Sequence, residues 1–99
     1  MLIFMDMIVT DRGLRPKLIS LALVRIDGLE LYLESAQVDR SECGRFLQER
    51  ALTQLGRIPG SVCKPQDIPG RLRQWFKDLP EPATIEPGVP GGSTGRVHR

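Results

Sequence analysis

Leu2-Ile3-Phe4-Met5-Asp6-Met7-Ile8-Val9, Lys17-Leu18-Ile19-Ser20-Leu21-Ala22-Leu23-Val24-Arg25 and Leu29-Glu30-Leu31-Tyr32-Leu33-Glu34 decide how this chain folds. The first run is short, almost wholly apolar and rich in Ile and Val, which predicts a buried strand. Burying the ionised carboxylate of Asp6 is costly without a metal cation, an arginine or backbone donors around it. An equal alternative is an aspartate that ends the strand and caps the turn at Thr10-Asp11-Arg12-Gly13. The second run is apolar on both alternating faces, so it should be covered on both sides. Asp27-Gly28 is a strong hairpin signal. In the third run Leu29, Leu31 and Leu33 alternate with Glu30, Tyr32 and Glu34, which predicts one buried and one wetter face. Together they predict an antiparallel meander of three strands.

The period then changes. Asp39-Arg40-Ser41-Glu42 has capping-box spacing, with Asp39 in place of Ser or Thr. Cys43, Phe46, Leu47, Ala51 and Leu55 follow at helical spacing and predict one amphipathic helix to about Leu55. Gly56 and Pro59-Gly60 end it, and 60–65 is expected to be a loop. Asp67 should cap a second helix with Pro69 in its first turn. Ile68, Leu72, Trp75, Phe76 and Leu79 form its apolar stripe, which makes Trp75 a core residue pressed on the sheet. Pro80 and Pro82 stop the helix, and Ala83-Thr84-Ile85 opens a short fourth strand. From Glu86 to Arg99 the chain is rich in Gly, Pro and Ser, and a flexible tail is expected there.

With 99 residues there is room for one small domain. Hydrophobic residues make up 40% and charged residues 26%, the profile of an ordinary globular protein. A net charge of +2 is too small to argue by itself for nucleic-acid or membrane binding. No apolar run spans a bilayer, and the N-terminus has no signal-peptide pattern, so no membrane association is expected. Cys43 and Cys63 lack metal-ligand spacing and read as reduced thiols of a cytoplasmic protein.

The segments Phe4-Met5-Asp6-Met7-Ile8-Val9-Thr10, Pro16 to Val24, Asp27-Gly28 with Leu31-Tyr32, and Leu79-Pro80-Glu81-Pro82-Ala83-Thr84-Ile85 resemble a small 3′–5′ exoribonuclease-like family. It belongs to the DEDD exonuclease superfamily, whose domains are ribonuclease H-like. The resemblance covers roughly Leu2 to Ile85 and implies an α/β fold: the meander, two helices and the short fourth strand. It implies a single-stranded nucleic-acid 3′ end as partner and Mg²⁺ or Mn²⁺ as cofactor. The family's first strand carries Asp-x-Glu, two acids on one side that hold two divalent metals. Asp6 matches the aspartate as a metal ligand, and Ile8 stands where the glutamate belongs. Glu86 is the candidate for a second ligand after the fourth strand. No residue matches the general base, since His98 corresponds to no family position.

Two close metal ions need several carboxylates to offset their charge. The expectation is therefore an exonuclease-like domain over 1–85 that does not catalyse, with 86–99 as tail. A gene product that is truncated or frame-shifted would explain the abrupt change after Ile85. The rival reading is a non-catalytic interaction module that pairs through an exposed sheet edge, with a partner or a second copy.

Overall fold

The computed structural model describes residues 1–88. Five strands form one mixed sheet: β1 (Leu2–Val9), β2 (Leu18–Arg25), β3 (Glu30–Ser35), β4 (Val62–Cys63) and β5 (Thr84–Pro87). Their spatial order is β4-β3-β2-β1-β5. The pairs β1–β2 and β2–β3 are antiparallel, whereas β4 lies parallel to β3 and β5 parallel to β1. The sheet is thus wider than three strands and a short fourth, and both of its edges are parallel additions. Two helices, α1 (Arg45–Arg50) and α2 (Ile68–Lys77), complete the domain.

The central position of β2 follows from its composition. Ile19, Leu21 and Leu23 are buried to 4% exposure or less, and Ser20 is buried between them. The hairpin after it closes at Asp27-Gly28. Arg25 donates its N–H to the Leu29 carbonyl, Gly28 donates to Arg25, and Gly28 takes φ +97, where a side chain would be strained. The β1–β2 register shifts between Ile8 and Val9. There Ile8 and Ile19 join a cluster with Cys43, Leu52, Val38, Leu47 and Leu55, which fastens the α1 region to the sheet.

The single helix expected from Asp39 to Leu55 is broken into three pieces. A 3₁₀ turn covers Arg40–Glu42, α1 follows, and a second 3₁₀ turn covers Leu52–Gln54. Asp39 does cap, but it accepts from the Ser41 N–H and hydroxyl rather than closing a box with Glu42. Glu42 instead accepts from Lys17 Nζ at 2.8 Å, and its carbonyl accepts the Arg12 N–H. The Gly44 N–H is given to Asp11 Oδ1 at 2.7 Å, so the backbone there is extended and the helix restarts. A Cβ on Gly44 would sit 3.0 Å from Asp11 Oδ2. Contacts from the β1–β2 loop thus override the helical period. Phe46, placed on the apolar stripe by its spacing, is exposed with the Arg50 guanidinium 5.9 Å from its ring.

Four further expectations are corrected. The stretch read as a loop contains β4, recruited because Ser61 and Cys63 carbonyls accept the Glu34 and Ala36 N–H groups. Asp67 makes no side-chain cap, because a 3₁₀ turn at Pro65–Asp67 runs directly into α2. Trp75 is half-buried rather than enclosed, its ring edge-on to Phe76 at 5.3 Å. Ile68 alone on α2 is buried, so the helix rests on the sheet through its first turn. The strand predicted from Ala83 begins at Thr84 and runs through Glu86 and Pro87, two residues into the expected tail. The rest of that tail, from 89 on, lies outside the described residues, and so does His98.

Candidate functional site

Strand alternation puts Leu2, Phe4, Asp6 and Ile8 on one face of β1. Asp6 faces Ala22 on β2, and Ala22 faces Tyr32 on β3. Across the other edge Phe4 is level with Glu86 of β5. Asp6 and Glu86 therefore share a sheet face on neighbouring strands, offset by two residues. Asp6 is half-buried and is not without a partner, whereas Glu86 is exposed. Asp6 lies in mid-strand, four residues before Thr10, so it does not cap the turn; Asp11 performs that kind of work, at Gly44.

Ile8 sits on the same face, two residues beyond Asp6, and packs against the Ile19–Cys43–Leu52 cluster. The position where a second acid would pair with Asp6 is thus filled by core. Among the described residues no three His, Cys, Asp or Glu side chains gather as a metal would require. Two carboxylates, one of them exposed, do not fit a two-metal centre.

The same face carries a polar group that sequence reasoning missed. Glu34 is 1% exposed although its strand position predicts the wetter side. Its Oε1 accepts the Gly56 N–H at 2.8 Å and its Oε2 accepts the Tyr32 hydroxyl at 2.6 Å. Burial, then the Glu34 carboxylate that holds the phenol proton, push Tyr32 up to about 12, with a weaker opposing bond from Ser20. The only signal was the spacing of Tyr32 and Glu34, two residues apart on one strand face. The closing partner, Gly56, lies 22 residues away in a turn with φ +79.

The Cys43 thiol is held in its unreactive protonated form. Cys43 is buried and its pKa is raised, first by burial and then by Asp11 and other nearby carboxylates. Cys63 is half-buried, and both are free. No helix of the described residues is long and apolar enough to cross a membrane. Compared with models of known protein families and with curated proteins, the chain matches none.

Proposed function

We propose that this chain has the ribonuclease H-like architecture of a DEDD-type 3′–5′ exonuclease and engages the 3′ end of single-stranded nucleic acid without hydrolysing it. The observation that supports this reading is the sharing of one sheet face by Asp6 in mid-β1 and Glu86 on the parallel strand β5. Ile8 occupies the second position of the strand's acid pair and is packed as a core residue. Metal-assisted hydrolysis requires ligands for both ions and a group that activates water. The described residues do not supply that set, so no hydrolytic step is assigned to them.

The test uses a fluorescent single-stranded oligonucleotide, RNA and DNA in turn, with and without Mn²⁺. Fluorescence anisotropy should rise with protein while the oligonucleotide keeps its length on a denaturing gel. Shortening from the 3′ end would overturn the non-catalytic part of the proposal. Unchanged anisotropy for both polymers would overturn the whole of it.

A second reading has its own observation. All four residues of β5 are exposed at the sheet's edge, Ile85 among them at 41%. An edge of this kind pairs with another strand, from a partner or from a second copy. Sedimentation of the full chain over a range of concentrations tests the second copy. A single species at monomer mass throughout would remove it.

A further inference from the structure

A cavity of about 700 Å³ opens where β1 and β3 end and β2 begins. That volume is in the range of small-molecule sites, and the carboxyl ends of strands in open α/β sheets are where such ligands bind. Neither Asp6 nor Glu86 lines it, so the proposal does not depend on the nucleic-acid reading. Leu18, Val38 and Ile68 give the cavity an apolar wall, and Ile68 is nearly fully buried. Its polar lining is Thr10, Lys17, Ser35, Gln37, Asp39 and Glu42.

Their bonding leaves one kind of ligand well matched. Thr10 is 4% exposed, and its hydroxyl oxygen accepts the Lys17 N–H at 2.9 Å. Among the described residues its hydroxyl proton is given to no acceptor. Lys17 Nζ spends one donor on Glu42 and has two more. Asp39 uses Oδ1 for both Ser41 bonds, which leaves Oδ2 as an acceptor. Both charged groups are exposed; Glu42 first, and Asp39 more weakly, hold Lys17 in its charged form. The cavity therefore presents donors for an anionic oxygen, an acceptor for an ammonium beside them, and an apolar wall.

We propose that this cavity binds a small zwitterion with an apolar side chain, of the free α-amino acid class. Its carboxylate meets Lys17 and the Thr10 hydroxyl, its ammonium meets Asp39, and its side chain lies against Leu18, Val38 and Ile68.

The probe is L-leucine, titrated into the full chain with amide chemical shifts as the readout. Two analogues separate the charges: 4-methylpentanoate lacks the ammonium and 3-methylbutylamine lacks the carboxylate. Leucine should shift the amides of Lys17, Val38 and Asp39 saturably, and each analogue should bind up to about fivefold more weakly. Ala36→Trp fills the cavity from an exposed position and should abolish the response while the variant keeps the parent's melting temperature. No saturable shift up to about 10 mM leucine, an affinity of order −3 kcal/mol or weaker, would overturn the proposal. So would analogues that bind as well as leucine, because the paired charges would then be irrelevant. Shifts confined to residues remote from the cavity would overturn the location.

Discussion

Glu34 places a carboxylate inside a small domain with two neutral donors as its company, the Gly56 amide and the Tyr32 phenol. Gly56 is exposed and Tyr32 half-buried, so water can meet both donors when the acceptor is removed, and the cost is about that of the two bonds. Glu34→Leu should therefore lower stability by about 1–3 kcal/mol in denaturant unfolding, a sizeable share of what a domain of this size possesses. Tyr32 gives an independent reading, since it is the chain's single tyrosine and its ionisation can be followed by ultraviolet absorbance. The fold favours the protonated phenol, so the tyrosinate should appear near pH 12 in the native protein. That contribution to stability is complete below about pH 10 and is lost as pH rises from there towards 12. Glu34→Gln should return the midpoint only part of the way, because burial outranks the carboxylate among the causes. A native midpoint at the ordinary tyrosine value would show that Tyr32 is neither covered nor bonded to Glu34 in solution. The pair was illegible in the sequence because alternation assigns a side chain to a face. It does not say whether a distant turn will cover that face.

Among the elements, the strands were the readable part, because a short apolar run and its turn are local signals. The run from Lys17 to Arg25 declares two covered faces, and Asp27-Gly28 declares the hairpin. Helices proved harder where tertiary contacts cut across the period. Asp11 and Lys17 reach the 40–44 segment from the β1–β2 loop and convert the start of an expected helix into a 3₁₀ turn and an extended glycine. The strand β4 has two residues and no pattern of its own; it exists because β3 offers an open edge. The stripe on α2 is real, but only its first turn is buried, and Trp75 and Phe76 cover each other edge-to-face. Trp75→Ala should then cost about 1–3 kcal/mol, below the 3–5 kcal/mol typical of an enclosed aromatic. Equilibrium unfolding in urea measures it. A loss at the top of the enclosed range would mean that Trp75 is packed more tightly than its half-burial implies. Asp6 and Glu86, both named from the sequence, do share a face. The exclusion of a second acid by packing at Ile8 needed the cluster around Ile19 to be seen.

Over the whole molecule, the two ends of the described chain are tied together at one edge of the sheet. The N-terminal ammonium donates to the Pro82 carbonyl at 2.6 Å and pairs with Glu81 at 2.9 Å. The Thr84 N–H is given to the Met1 carbonyl, and the Gly88 N–H to Met5. The strand β5 is thus held on β1 at both of its ends, although it buries none of its four side chains. Its stability must come from backbone pairing and from the company of the N-terminus, each bond worth about 0.5–1.5 kcal/mol net. Two truncations isolate that contribution. One chain stops after Gly88 and keeps the whole strand; the other stops after Ile85 and loses Glu86, Pro87 and the Gly88 bond. The shorter chain should be less stable than the longer by about 1–3 kcal/mol, from the loss of a few such bonds. In a domain of this length that corresponds to a melting temperature lower by roughly 5–15 °C. The comparison is internal, so whatever residues 89–99 contribute cancels from it. Equal melting temperatures would mean that the pairing beyond Ile85 adds nothing, and that the second half of β5 is held by the first. The expected difference would instead make β5 an integral fifth strand and put Glu86 on the Asp6 face by structure rather than by chance of the tail.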